Sequence, residues 1–227
     1  MPRASQGRGP GGAGATASAA AGYGTGMRNY GSGVALLVVD MQNDFADARG
    51  SLHVAGAELI LPVVNAQIAL ARANGSMLVY TQDWHPPHTP HFKVDGGEWP
   101  VHCVAHTWGA ELHPALDCRP GSPMILKGTN GEDGYSAFTM RDPSSDERVP
   151  TLLEPLLVES DVSDVVVVGL ATDYCVRATA LDAIRLGFHA TVLTDGVAAV
   201  NVRPGDGERA LAEIGAAGTV LATSGAH

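Results

Sequence analysis

The sequence predicts an α/β protein built around an open, mostly parallel sheet. Apolar runs without polar alternation recur from residue 34 onward, as is typical of strands buried on both faces. Helical stretches separate several of these runs, and strand–helix alternation favours a parallel sheet covered by helices. The chain has 227 residues, of which 45% are hydrophobic, so it can bury the core of one large domain.

Six apolar runs are the predicted strands. The fourth contains four consecutive valines, which favours a strand covered on both sides. The runs are Val34–Asp40, Ser76–Asp83, Pro123–Gly128, Asp164–Gly169, His189–Asp195 and Gly218–Thr223.

Three helices are predicted, over residues 59–74, 174–186 and 207–216. Pro62 lies near the start of the first, where proline is tolerated, and Gly75 follows its end. In the second, apolar side chains recur every four residues from Val176 to Ile184, and Gly187 ends the helix.

Two segments fall outside this alternation. Residues 1–33 are rich in glycine, alanine and serine, which predicts a disordered tail preceding one globular domain of residues 34–227. Residues 84–123 contain no clear strand, and a connection of that length is usually functional or disordered. All three tryptophans, Trp84, Trp99 and Trp108, lie within it, which favours an ordered, functional loop.

Charge and cysteine content exclude several classes of partner. The net charge is −10, which disfavours binding to nucleic acid or to anionic membranes. No apolar run reaches the roughly 18 residues of a membrane span, and glycines interrupt the N-terminus where a secretory signal would need an apolar stretch. Three cysteines without a CxxC pair argue against a disulfide framework and favour a reducing, cytoplasmic location.

Chemically active residues follow four of the predicted strands. Asp40, Asp83 and Lys127 end the first three, and Cys175 follows the fourth at the start of the second helix. Because the carboxyl ends of parallel strands lie along one edge, these groups are expected to share a crevice. Each also has a structural alternative: a helix-capping aspartate, a solvent-facing lysine, a buried cysteine.

Together these residues predict acyl transfer through a thioester. A helix N-terminus and the nearby Lys127 are expected to lower the pKa of Cys175. Asp40 is placed to accept the thiol proton and pass it to a leaving amine. Backbone amides of the turn at 171–175 are candidates to bind an oxyanion. Cys103 and Cys118 lack this setting and are interpreted as structural.

The stretch DWHPPHTPH, residues 83–91, suggests a metal site. Asp83, His85, His91 and the later His102 offer one carboxylate and three imidazoles, a donor set that suits Zn²⁺, Fe²⁺ or Mn²⁺. The spacing alone is a weak signal, and a polar loop without metal is the alternative.

Residues 34–224 resemble the nicotinamidase/pyrazinamidase branch of the isochorismatase-like cysteine hydrolases. The matching motifs occur in the same order as in that family. They are DMQNDF at 40–45, DWH at 83–85 with His91-Phe92, WPVHC at 99–103, Lys127-Gly128, YSAF at 135–138 and GLATDYCV at 169–176.

The resemblance implies a Rossmann-like, three-layer α/β/α fold with six parallel strands. It implies hydrolysis of nicotinamide to nicotinate and ammonia, a step of NAD salvage, with one divalent metal ion as cofactor. The implied catalytic triad is Asp40, Lys127 and Cys175, and the implied metal ligands are Asp83, His85 and His102. The remaining implied residues are His91, a direct or water-mediated ligand; Phe45, Trp99 and Tyr135 around the substrate ring; and the amides of Ala171 and Cys175, aimed by a cis Leu170–Ala171 bond.

Two features depart from the family pattern, namely the 33-residue tail and the polar segment 139–150. His88 matches no ligand of the family. Two other functions stay open: hydrolysis of another small amide, such as a ureido or carbamoyl compound, and a metal-binding interaction module without catalysis. A homo-oligomer is also compatible with the sequence. Zinc, iron and manganese are alternatives for the metal, and pyrazinamide is a further candidate substrate.

Overall fold

The structure is a computed structural model, and it describes residues 29–225 of the protein. Six strands form one sheet in which every pairing is parallel, with the order β3-β2-β1-β6-β7-β8. This confirms the predicted fold class. The strands are β1 Val34–Val39, β2 Met77–Asp83, β3 Met124–Lys127, β6 Asp164–Leu170, β7 His189–Ala198 and β8 Val220–Ala222.

Helices cover both faces of the sheet. On one face, Leu36 and Val38 of β1 pack in a cluster with Ile60, Val64 and Ile68 of the long helix. Because successive side chains of a strand point to opposite faces, the alternate residues of β1 join a second cluster with the three helices that begin at Leu153, Arg177 and Asp206. The helices are α1 Asn43–Ala46, α2 Ala57–Ala73, α3 Leu153–Glu159, α4 Arg177–Arg185 and α5 Asp206–Ala216.

The second predicted helix begins differently from the prediction. Residues Thr172–Val176 form a π-helical turn, and the regular helix α4 starts only at Arg177. π-helical turns are frequent at functional sites, and apolar periodicity carries no signal that distinguishes such a turn from an α-helix.

The sequence did not predict the short elements. The helices α1 and α3 have four and seven residues, too few for a clear helical period. The polar segment 139–150 forms an antiparallel hairpin of β4 Thr139–Arg141 and β5 Arg148–Pro150, which is separate from the main sheet.

The structure describes the last five residues of the predicted tail, 29–33, whereas residues 1–28 lie outside the described residues. The Tyr30 hydroxyl donates a 2.9 Å hydrogen bond to Gln67 of α2, and the amide of Gly31 donates to the Ser76 hydroxyl at 2.8 Å. Residues 29–33 therefore contact the domain. The Tyr30 side chain binds beside α2, and composition alone does not predict that contact.

The long connection 84–123 contains no strand, in agreement with the sequence, but has two 3₁₀ turns, Lys93–Asp95 and Trp108–Ala110. Single bridges tie it together, between His85 and Val104 and between Phe92 and Trp99. Among the described residues, no helix combines the length and apolar composition needed to cross a bilayer.

Candidate active site

A buried lysine lies at the centre of the carboxyl edge of the sheet. The Nζ atom of Lys127 is 2.6 Å from Oδ2 of Asp40, 2.8 Å from Oδ1 of Asp83 and 3.4 Å from Sγ of Cys175. Lys127 itself is 0% exposed. The structure thus brings together the four groups that follow β1, β2, β3 and β6.

Opposite charges stabilise the buried Lys127 and the two aspartates that contact it. Burial disfavours the Lys127 cation, but the carboxylates of Asp40 and Asp83 outweigh that effect and hold its pKa well above the usual range. Burial likewise disfavours the Asp83 anion, yet the Lys127 charge and the neighbouring histidines keep the pKa of Asp83 below its usual range. Lys127 is therefore a fixed cation and Asp83 a fixed anion.

Asp40 has the opposite character. Burial raises the pKa of its carboxyl above the usual range, against the lowering effect of Lys127. Its Oδ1 accepts a 2.5 Å hydrogen bond from the Thr81 hydroxyl, and its own amide donates to that hydroxyl at 3.1 Å. With φ at 48°, Asp40 has left-handed backbone, which aspartate tolerates better than most residues. Thr81 thus holds one carboxylate oxygen and Lys127 holds the other.

Cys175 lies in the π-helical turn Thr172–Val176 and is buried. The expectation of a lowered thiol pKa is wrong. Burial raises the pKa of Cys175 well above the usual range, and the opposing effect of Lys127 does not cancel it. Ligand atoms of Cys175, Asp40 and Asp83 all lie within 4.8 Å of one another. Cys175 is therefore a buried thiol with the Asp40 carboxyl group close beside it.

Three histidines of the long connection form a second cluster next to Asp83. One ring nitrogen from each of His85, His91 and His102 lies within 4.8 Å of the others, and all three residues are buried. Nε2 of His85 is 3.9 Å from Oδ2 of Asp83, whose other oxygen contacts Lys127. Asp83 thus links the histidine cluster to the lysine.

The histidine cluster fits a divalent metal ion. Both ring nitrogens of His85 are buried without a hydrogen-bond partner in the described chain, which is costly unless another group binds them. Burial lowers the pKa of His85 to about 4, against the effect of Asp83, and also lowers the pKa of His102. Neutral imidazoles and a carboxylate are the donors that Zn²⁺, Fe²⁺ and Mn²⁺ accept.

His102 and His91 each use one ring nitrogen in a hydrogen bond to a residue outside the cluster. Nδ1 of His102 lies 2.7 Å from the carbonyl oxygen of Pro100, and Nδ1 of His91 lies 2.7 Å from Oδ1 of Asp133. An imidazole that donates through Nδ1 presents its Nε2 lone pair to a metal. His88 lies outside the cluster, since its ring is 82% exposed and contacts Asp95.

A pocket with aromatic walls opens onto Cys175, His91 and His102. Phe45, Trp99 and Tyr135 line it, and the indole Nε1 of Trp99 donates a 2.9 Å hydrogen bond to the Tyr135 hydroxyl. Ala171 lies on the wall beside Cys175, and the preceding Leu170–Ala171 peptide bond is cis, as the resemblance implies.

Sequence reasoning missed several residues of this site. Leu52, Val54 and Val200 were missed because they are apolar loop residues that carry no motif, and they complete the walls together with Leu170 and Tyr174 of the GLATDYCV motif. Thr81 and Asp133 were also missed. Thr81 lies two residues before Asp83 on the same strand, so strand alternation directs both side chains to one face. That spacing could have identified Thr81.

Residues of the DMQNDF motif position the site. The side-chain amide of Gln42 pairs with the backbone of Asp83. Its Nε2 donates to the carbonyl oxygen of Asp83 at 2.7 Å, and its Oε1 accepts from the backbone N–H of Asp83 at 2.8 Å. The Asp44 carboxylate accepts from the amide of Cys103 at 2.7 Å. Cys103 is buried and Cys118 is partly exposed, and both are free thiols in the described chain. Neither cysteine lines the pocket.

Comparison with known proteins places these features in context. The family model for the isochorismatase domain matches residues 34–225. The nicotinamidase of Escherichia coli (strain K12) is 39% identical over 206 residues, which cover 83% of this chain and 94% of that protein.

Two solved structures have the same fold. The pyrazinamidase of Pyrococcus horikoshii in complex with zinc is 38% identical, with a TM-score of 0.75 over 84% of this chain and 99% of its own. PnC1 from L. infantum in complex with nicotinate is 39% identical, with a TM-score of 0.79 over 88% of this chain and 97% of its own.

Proposed function

The chain belongs to the isochorismatase domain family, and on that premise we propose that it is a nicotinamidase. It hydrolyses nicotinamide to nicotinate and ammonia through a thioester on Cys175. The observation that supports this most strongly is one pocket in which a thiol, a buried lysine with its carboxylates, and a three-histidine cluster meet between aromatic walls. The 39% identity to a nicotinamidase over 94% of that protein points to the same substrate.

The first chemical step is attack by sulfur on the carboxamide carbon. Asp40, whose carboxylate is held by Lys127 at 2.6 Å, takes the thiol proton as the C–S bond forms. Burial raises the pKa of Cys175, so the sulfur keeps its proton at rest. Burial also raises the pKa of Asp40, which makes its carboxylate a stronger base than that of an exposed aspartate. The fixed Lys127 cation, 3.4 Å from sulfur, stabilises the thiolate charge that develops during transfer.

The tetrahedral intermediate places negative charge on the former carbonyl oxygen. The backbone amides of Ala171 and Cys175 are the donors proposed to stabilise it. Asp40 returns its proton to the amide nitrogen, the C–N bond breaks, and ammonia leaves with the thioester formed. Asp40, again ionised, then removes a proton from water, which attacks the thioester, and the thiol is restored as nicotinate leaves.

The metal ligands of the proposal are Asp83, His85 and His102, with His91 as the further ligand. A divalent cation held by these residues would supply a Lewis acid for the pyridine nitrogen of the substrate. Zinc, iron and manganese all accept this donor set, and the bound zinc of the pyrazinamidase from Pyrococcus horikoshii makes zinc the first choice.

The aromatic walls orient the ring. Phe45 and Trp99 flank the pocket, where a pyridine ring gains both burial and stacking contacts. The Trp99–Tyr135 hydrogen bond holds two of the walls together, so the pocket is formed before substrate enters. Pre-organised walls lower the entropic cost of aligning the carboxamide with sulfur.

The partner of the proposal is a small molecule, and the site of action is the cytoplasm. The three free thiols suit a reducing compartment. An acidic chain with net charge −10 does not favour nucleic acid or anionic membranes.

The decisive experiment follows ammonia release from purified protein with nicotinamide, pyrazinamide, a ureido acid and a carbamoyl amino acid. We expect nicotinamide turnover that Cys175→Ala removes and Cys118→Ala leaves intact. Faster turnover of the ureido or carbamoyl compound would transfer the function to another small amide. Absence of turnover on every substrate by metal-loaded protein would leave the non-catalytic metal-binding module.

A further inference from the structure

We propose that Asp133 is a positioning residue for the metal site, which fixes His91 in the tautomer and orientation that bind the ion directly. This inference rests on the metal site of the proposed function. Asp133 lies on the connection between β3 and β4 and belongs to none of the motifs that match the family. It would decide whether the third histidine is a ligand or a bystander.

The contact between the two side chains is short and specific. Nδ1 of His91 lies 2.7 Å from Oδ1 of Asp133, the length of a charge-assisted hydrogen bond. A carboxylate only accepts, so Nδ1 carries the proton and the Nε2 lone pair is free. A carboxylate on the far side of a ligating imidazole also makes that nitrogen a stronger donor to metal.

The backbone holds Asp133 in place from both sides. Its amide donates to the carbonyl oxygen of Arg141 at 2.8 Å, and its carbonyl oxygen accepts from the amide of Arg141 at 2.5 Å. The amide of Gly134 donates to Oδ1 of Asp133 at 2.8 Å. The β4–β5 hairpin, which the family resemblance did not explain, thereby acquires a role as the support of this carboxylate.

The ring of His91 depends on a contact from a distant part of the chain, whereas the ring of His102 does not. His102 is oriented by Pro100, two residues away on its own loop. The backbone of His91 is tied by the Thr89 hydroxyl and by the amide of Trp99, but among the hydrogen bonds of the described residues only Asp133 holds its ring. The Asp133 side chain is 48% exposed, so replacing it leaves no internal cavity.

The test measures metal binding, not turnover. Metal-free wild type, Asp133→Asn and Asp133→Ala are titrated with Zn²⁺ against a competing chelator, and the Co²⁺-loaded proteins are compared by visible absorption. We expect a loss of affinity of about 10- to 100-fold for Asp133→Ala, the usual range for such supporting carboxylates. A smaller loss is expected for Asp133→Asn, whose amide oxygen still accepts from Nδ1. The Co²⁺ absorption bands should shift in both variants.

Glu132→Gln is the matched control. It removes a carboxylate one residue away whose two oxygens each accept a 2.8 Å hydrogen bond from Asn130, so it reports the effect of net charge. We expect its zinc affinity to equal that of wild type. In a His91→Ala background, Asp133→Asn should cause no further loss, since Asp133 acts through that ring.

Three results would overturn the inference. One is wild-type affinity and an unchanged Co²⁺ spectrum in both Asp133 variants. The second is a loss of zinc affinity from Asp133→Asn that is equal in the presence and absence of the His91 ring. The third is a wild-type protein that binds no metal. A wild-type protein that binds zinc but hydrolyses no amide leaves the inference standing and refutes only the proposed function.

Discussion

The Nζ atom of Lys127 lies 2.6 Å from Oδ2 of Asp40 and belongs to a side chain that no solvent reaches. Both members of this ion pair are fully buried. The same ammonium is 2.8 Å from Asp83. A single cation therefore neutralises the general base of the proposed reaction and the carboxylate beside the histidines.

Removing this cation should destabilise the whole fold. In Lys127→Met, two buried carboxylates lose their partner, which costs about 3–5 kcal/mol. Urea unfolding of metal-free protein measures this cost. Lys93→Met, at an exposed position of the long connection, serves as the control and should unfold like wild type. A loss below about 1 kcal/mol, the range of an exposed pair, would contradict a buried charge network.

Thr81 should control the orientation of the base. Thr81→Val preserves side-chain volume but removes the hydroxyl that binds Oδ1 of Asp40 at 2.5 Å. We expect kcat to fall by about 10- to 100-fold, since general-base catalysis contributes about 10²–10⁴, while KM stays close to wild type.

The control for that change is Thr139→Val. Its hydroxyl makes the same kind of bond to an aspartate, Asp182, at 2.5 Å, and it lies in the hairpin away from the pocket. It should lose stability of about 1 kcal/mol without loss of kcat. Equal kcat values for the two variants would show that Thr81 has no special role.

Gly128 should leave space for the ring of His85, a proposed metal ligand. A Cβ atom at Gly128 would lie 2.5 Å from Nδ1 of His85, so Gly128→Ala displaces the imidazole. We expect at least a tenfold loss of zinc affinity, in the range for disturbed ligand support.

Gly131→Ala provides a matched comparison. Its φ of +83° is close to the +76° of Gly128, but its nearest neighbour, the Thr89 hydroxyl, is 4.0 Å from the added carbon. Both variants carry the same backbone cost, so only the collision differs. Equal zinc affinity in the two variants would argue against His85 as a ligand.

Metal removal should lower both activity and stability. Chelator treatment leaves both His85 ring nitrogens buried without partners, and a ligand that binds only the native state adds stability in proportion to the logarithm of its concentration over Kd. We expect the metal-free protein to hydrolyse no nicotinamide and to melt at a lower temperature. Adding Zn²⁺ should restore both. Full activity with no metal detected by elemental analysis would refute the metal-dependent mechanism.

The sequence by itself determined the sheet and the edge on which chemistry takes place. Long apolar runs can be satisfied only by burial on both faces, and parallel strands must bring Asp40, Asp83 and Lys127 to one edge. Those are consequences of local pattern and chain direction, so the strand ends could be assigned without coordinates. The roles of these residues in catalysis stay predictions.

Only the tertiary structure decided the electrostatics and the supporting contacts. The thiol pKa of Cys175 is raised because the side chain is buried, and local sequence records neither depth of burial nor distance to a charge. The contact of His91 with Asp133 joins residues 42 positions apart through a polar hairpin without a strand-like pattern. Such pairings depend on how loops fold over the sheet, and that is settled by packing among segments that carry no periodic signal.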